Sequence, residues 1–81
     1  MIELKPISSE KAVKLIDSQN TILFETGRKE RKEFIRKEIE RLFSVKVAKI
    51  RTNIRYNRKF VYATLDKKNP AIDLATKLGV I

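Results

Sequence analysis

Apolar residues recur along this chain in short bursts whose period shifts between helical and alternating, and those shifts divide it into elements. Ile2-Glu3-Leu4-Lys5 reads as a short strand that Pro6 ends. Ser8 and Ser9 are good helix caps and Glu10 suits the positive end of a helix. Ala12, Val13, Leu15 and Ile16 supply an apolar side before Asp17-Ser18-Gln19-Asn20 breaks it. Thr21-Ile22-Leu23-Phe24-Glu25-Thr26 is β-branched and apolar and is closed by Gly27, which predicts a buried strand. From about Lys29 to Phe43 the residues Phe34, Ile35, Ile39, Leu42 and Phe43 fall on helical spacing, with Glu33/Lys37 and Arg36/Glu40 four apart on the outer side. That stripe predicts core packed against a sheet. Val45 to Arg55 and Arg58 to Leu65 predict two strands around Tyr56-Asn57, because Asn tolerates the left-handed backbone of a tight turn. Finally, Asn69 can cap a helix with Pro70 at its first position, Ile72, Ala75 and Leu78 facing inward, and Gly79 ending it.

Within the predicted hairpin the alternation separates two surfaces. One face of the first strand reads Lys49, Arg51, Asn53, Arg55, and the other reads Ala48, Ile50, Thr52, Ile54. In the second strand the aliphatic set Val61, Ala63, Leu65 belongs with the core, which leaves Phe60 and Tyr62 beside the basic row. Guanidinium groups pair with phosphates and aromatic rings stack on unpaired bases, so this combination suits RNA. Phe60 and Tyr62 have a second reading, in which a helix or terminal segment of the chain covers them.

Charge sharpens that picture. The 81 residues carry 19 Lys and Arg against 10 Asp and Glu, a net charge of +9. Residues 1–27 hold three Lys and four acids, residues 28–59 six Lys, seven Arg and four Glu, and residues 60–81 three Lys and two Asp. The middle segment therefore supplies the whole excess, and a local excess of this size attracts a polyanion by releasing its counterions. Arg55, Tyr56, Asn57, Arg58 and Lys59 put three cations at the hairpin tip, while Arg28, Lys29, Arg31 and Lys32 crowd the start of the long helix, where a phosphate can dock. Pairing of Lys29 and Lys32 with Glu on the same helix accounts for some of that cluster.

Composition also narrows the chemistry. The absence of Cys and His removes disulfides, thiolate nucleophiles and the commonest general base and metal ligands. Two glycines are too few for a dinucleotide fingerprint or a phosphate-cradling loop. Acid pairs such as Glu30/Glu33 and Glu38/Glu40 lie beside Lys or Arg on a predicted outward helix surface, an environment that keeps carboxylates ionised. The expectation is a non-enzymatic protein with no cofactor, no metal and no small-molecule substrate. A chain this short is expected to form a single domain over residues 1–81. With no run approaching about 18 apolar residues and no signal-peptide pattern, it is expected in the cytoplasm without membrane insertion.

Taken in order, these pieces resemble the large-subunit ribosomal protein twenty-three family. Lys5-Pro6-Ile7-Ser8-Ser9-Glu10-Lys11-Ala12 is like the family's Arg-Pro-x-x-Ser/Thr-Glu-Lys-Ala signature. The Asn20-Thr21 strand start, Ile35…Ile39…Leu42-Phe43-Ser44-Val45-Lys46-Val47 and Ile50-Arg51-Thr52-Asn53-Ile54 follow, and residues 72–81 are like the archaeal and eukaryotic ending. The resemblance implies an α+β fold, a four-stranded antiparallel sheet with packed helices in the order β-α-β-α-β-β plus a C-terminal helix. It implies a structural role in the large ribosomal subunit, with binding of large-subunit rRNA near the polypeptide exit tunnel. It also implies a small helical ribosomal protein as neighbour and a docking site for nascent-chain factors such as the signal recognition particle. Glu10 matches the family's exposed docking acid, whereas Ser44 stands where bacterial members often carry a second one. Bacterial members extend the last hairpin into a long loop; here the Tyr56-Asn57 connection is short, which favours an archaeal type. The expected RNA contacts are Arg28, Lys29, Lys32, Lys49, Arg51, Asn53, Arg55, Tyr56, Arg58 and Lys59, with Phe60 and Tyr62 as possible stacking positions and Lys5 and Lys11 added by resemblance. Two other classes stay open on the residues alone: a free-standing adaptor whose basic strip meets an acidic partner or an anionic membrane, and an independent nucleic-acid regulator.

Overall fold

The computed structural model describes residues 3–27 and 29–80. Its elements run β1 (Lys5–Pro6), α1 (Glu10–Gln19), β2 (Thr21–Gly27), α2 (Lys32–Phe43), β3 (Val47–Arg55), β4 (Arg58–Leu65) and α3 (Ala71–Lys77). The four strands form one antiparallel sheet in the order β1-β2-β4-β3. This is the expected α+β architecture and element order. β1 is two residues long and includes Pro6, which an edge strand accommodates because one side of its backbone is unpaired. The expected strand ran from Ile2 to Lys5 with Pro6 ending it, whereas Pro6 is itself paired, opposite Phe24; Ile2 lies outside the described residues.

One apolar cluster holds the fold. Ile22 and Phe24 of β2, Val61, Ala63 and Leu65 of β4, and Val47 and Ile50 of β3 form its sheet side. Ile35 and Ile39 of α2, Ala71, Leu74 and Ala75 of α3, and Ile16 of α1 close over it. Each large aliphatic or aromatic side chain fully buried here contributes about 1.5–3 kcal/mol. Phe43, at the end of α2, stacks on Phe24 with ring centroids 5.8 Å apart. β2 is buried on both faces: Leu23, which points away from this cluster, is covered too, as is Ala12 of α1, the helix that packs on β2.

Local chemistry sets most boundaries. Ser9 caps α1, its Oγ accepting the Ala12 amide (3.2 Å). The helix continues through Asp17, Ser18 and Gln19 and stops where Asn20 turns left-handed (φ 51°). α2 ends in the same way at Ser44 (φ 54°). α3 ends with Gly79 at φ 75°, the Gly79 amide bonding Thr76 O and the Val80 amide bonding Ala75 O, the pattern in which a left-handed residue satisfies the last carbonyls. The hairpin turn places both Tyr56 (φ 51°) and Asn57 (φ 64°) in the left-handed region, as a two-residue type I′ turn requires.

Several expected positions differ. α2 starts at Lys32 rather than near Lys29, and Phe34 and Leu42 stay almost half exposed, because the helix's buried seam is narrower and runs through Ile35 and Ile39. β3 starts at Val47 rather than Val45 and carries a bulge between Val47 and Lys49. The extra residue reverses the alternation, so Val47 packs opposite Leu65 while Ala48 is exposed instead of joining the core. Ile54 shares the core face by register but lies beyond the helices and is exposed. In α3 the inward residues are Ala71, Leu74 and Ala75, leaving Ile72 half exposed.

The cap of α3 is the largest difference. Pro70 occupies the cap position and no local side chain bonds the helix start. Asn20 does so from 51 residues earlier: its Oδ1 accepts the Ala71 amide (2.6 Å), and its Nδ2 donates toward the carbonyls of Leu65, Asp66 and Asn69 at 3.1–3.2 Å. Asn69, freed from capping, accepts the Lys46 amide at Oδ1 (2.8 Å). One amide side chain thus ties the end of α1 to the β4–α3 connection.

Candidate nucleic-acid interface

Strand register fixes which side chains share a surface. On the face away from the main core, paired residues line up across β2, β4 and β3 as Thr21–Thr64–Lys49, Leu23–Tyr62–Arg51, Glu25–Phe60–Asn53 and Gly27–Arg58–Arg55. Lys49, Arg51, Asn53 and Arg55 consequently form one exposed row along β3, the outermost strand. Beside them, Phe60 and Tyr62 are half-buried, and the Arg51 guanidinium sits 5.1 Å from the Tyr62 ring centre, a cation–π contact that holds both groups in place.

Two other elements bring cations to this row. Lys11 and Leu15 of α1 join Arg51, Thr52, Asn53 and Tyr62 around a hollow of about 320 Å³. Lys32, Glu33 and Arg36 of α2 join Lys49, Ile50 and Arg51 around a second, of about 380 Å³. Arg51 belongs to both. α1 therefore flanks the basic face without sealing it: Tyr62 stays partly accessible and the row stays exposed. The convergence of Lys11 and Lys32 on Arg51 was not legible in the sequence, since it depends on how α1 and α2 cross the sheet.

The remaining expected residues are distributed differently. Arg58 is held by acids of its own chain, its Nε bonding Glu25 at 2.8 Å and its Nη2 lying 3.8 Å from Glu3. Lys59 points to the core side and donates to the backbone carbonyl of Glu30. Lys5 lies in the Glu25–Phe60–Asn53 row but at its far end, across the whole sheet from Asn53. Lys29 is exposed ahead of α2, Tyr56 projects from the hairpin tip at 92% exposure, and Arg28 lies outside the described residues. Glu10 is exposed on the first turn of α1, 3.9 Å from Lys14.

Glu38 and Glu40 of α2 also have partners. Arg36 and Glu40, spaced as a mutual pair, instead grip the backbone of Val47: Arg36 Nη2 donates to its carbonyl (2.8 Å) and Glu40 Oε2 accepts its amide (2.9 Å). That clamp anchors the start of β3 next to the bulge. Glu38 accepts a forked hydrogen bond from Arg41 (2.9 and 3.2 Å), which holds its carboxyl below the ordinary carboxylate value. A lowered pKa is the opposite of what a general acid needs.

Comparison with known proteins identifies the family of the chain. The family model described as ribosomal protein L23 matches residues 1–77. The chain is 40% identical over 78 residues to large ribosomal subunit protein uL23 of Methanothermobacter thermautotrophicus, covering 95% of this chain and 91% of that one. It is also 40% identical to the proteins of that name from Methanococcus vannielii (93% of this chain, 88% of that one) and Pyrobaculum aerophilum (93% and 94%).

Proposed function

The chain belongs to the ribosomal protein L23 family, and from that premise we propose that it binds large-subunit rRNA through the β3 row Lys49, Arg51, Asn53 and Arg55. It is a structural, non-enzymatic constituent of the large ribosomal subunit and works on the ribosome in the cytoplasm. Family membership sets aside the free-standing adaptor and regulator readings. One observation carries the RNA assignment: Lys49, Arg51 and Arg55 are exposed on one strand face and, among the described residues, form no ion pair, whereas Arg58 is neutralised by Glu25 and Glu3. Cations without internal partners are the ones that release counterions when they meet phosphate. Lys11 and Lys32 extend the row from two helices, and Tyr62 holds the Arg51 guanidinium over its ring, where that plane can stack on a base. Lys5, Lys29, Tyr56, Phe60 and, on the sequence alone, Arg28 are secondary contacts in this reading; Arg58 and Lys59 are chiefly structural.

The finer assignments rest on the resemblance. In this reading the protein sits near the polypeptide exit, beside a small helical ribosomal protein, with Glu10 on the surface that would meet the signal recognition particle. The exposure of Glu10 at the start of α1 supports that role.

Incorporation into large subunits at moderate and high salt tests the RNA face. Lys49→Glu with Arg51→Glu is expected to abolish retention at high salt while leaving the free protein folded. Arg58→Ala is expected to lower stability with little change in salt dependence. Unchanged incorporation of the double variant would overturn the assignment, and nucleotide footprinting would identify the RNA protected.

A further inference from the structure

β3 is an edge strand, and its outer backbone groups play no part in the RNA reading. Arg55 and Arg58 flank a two-residue turn, so they form a hydrogen-bonded pair, and alternation makes Asn53 and Arg51 hydrogen-bonded to β4 as well. The backbone groups of Ile50, Thr52 and Ile54 therefore point outward, away from β4. The outward groups at Val47 are taken by Arg36 and Glu40 of α2. Among the described residues, no hydrogen bond covers the outward groups of the next three alternate positions. Of the devices that usually blunt such an edge, the bulge is confined to its start at Val47/Lys49 and no proline interrupts residues 49–55; the cations Lys49, Arg51 and Arg55 remain, and they repel another basic strand but not an acidic one. Ile50, Thr52 and Ile54 are β-branched and keep this stretch extended.

We propose that the open edge from Lys49 to Arg55 accepts an extended acidic peptide as a fifth strand. In-plane addition would satisfy the outward groups of Ile50, Thr52 and Ile54. On one face, acidic side chains of the added strand would lie beside Lys49, Arg51 and Arg55; on the other, apolar ones would lie beside the exposed Ile54. The partner is thus a segment with acidic and apolar residues in alternation. A second copy of β3 is disfavoured because it would set cations against cations. The edge's hydrogen-bonding groups lie in the sheet plane, whereas the cation row projects from its face, so the two readings share Lys49, Arg51 and Arg55 but not the outward backbone groups.

The test is amide exchange and chemical shift mapping of the full chain with a blocked peptide of alternating Glu and Val. The expected result is slowed exchange of the Ile50, Thr52 and Ile54 amides by about tenfold or more, the scale of one net hydrogen bond. The same peptide N-methylated at its pairing amides should not protect them, and an alternating Lys and Val peptide should not bind. Thr52→Pro removes one outward amide without touching the β4 ladder and should weaken binding about tenfold. Equal protection by the lysine peptide, or binding that leaves those three amides unprotected, would overturn the proposal. So would equal protection by a single-stranded RNA oligomer, or concentration-dependent protection without peptide, which would assign the edge to nucleic acid or to a second copy.

Discussion

Replacing Asn20 should uncouple α3 from the rest of the fold. Asn20→Ala removes the acceptor for the Ala71 amide, the donor to three carbonyls of the β4–α3 connection, and a residue suited to φ 51°. A lost helix cap costs about 1 kcal/mol. A left-handed Ala costs roughly another 1 kcal/mol, and the partly buried carbonyls left without a donor cost about 1–2 kcal/mol together. The sum, about 3–4 kcal/mol, is a large fraction of the ~5–15 kcal/mol that holds a small domain together. Asn20→Gly keeps the backbone conformation and should be about 1 kcal/mol less damaging than Ala. Asn20→Asp keeps the acceptor but turns an oxygen toward three carbonyls, so it should be worse than Gly despite its similar shape. Urea unfolding followed by circular dichroism measures the series, and each kcal/mol corresponds to roughly 4–8 °C in Tm for a chain this size. If Ala and Gly both lay within about 0.5 kcal/mol of the parent, or if Asp matched Asn, the account of Asn20 as a long-range cap would be refuted.

The other predictions concern single sites. Tyr56→Asn relieves a bulky residue from the left-handed region of the hairpin turn and should raise stability by about 0.5–1 kcal/mol, read by calorimetry. The Thr26 hydroxyl is fully buried and, among the described residues, has no hydrogen-bond partner, so Thr26→Val should be neutral or stabilising by up to about 1 kcal/mol; a clear loss would show that the hydroxyl is satisfied. The hydrogen bond from Arg41 lowers the folded-state pKa of Glu38, so its stabilisation is complete above the unfolded-state value and lost as pH falls through the folded one. Glu38→Gln should therefore remove a small part of the acid limb of the stability profile, visible in urea midpoints measured from about pH 6 down to about pH 3.

Most of the fold was legible because its cues are local. Ser9 ahead of an apolar helical period, Gly79 after one, and Asn57 between two alternating runs each act within a few residues, so the order of elements and the hairpin register could be read directly. The errors cluster where one extra residue or one distant side chain intervenes. No local pattern announces the bulge that exposes Ala48, nor the narrow contact that leaves Phe34, Leu42 and Ile72 half exposed: periodicity reports which side of an element is apolar, not how wide a strip its neighbours cover. Arg36 and Glu40 had the spacing of an ion pair, yet the Val47 backbone offered both groups stronger fixed partners.

The candidate site divides along the same line. The sequence alone determined that the cationic excess lies in residues 28–59 and that Lys49, Arg51, Asn53 and Arg55 share a strand face, because charge and alternation are properties of consecutive residues. Tertiary structure decided which cations stay available. Chain folding delivers Glu25 and Glu3 to Arg58, turns Lys59 toward the Glu30 carbonyl, and brings Lys11 and Lys32 to Arg51. A charge's partners are set by distance in space, which strand pairing and helix crossing create between residues far apart in the chain.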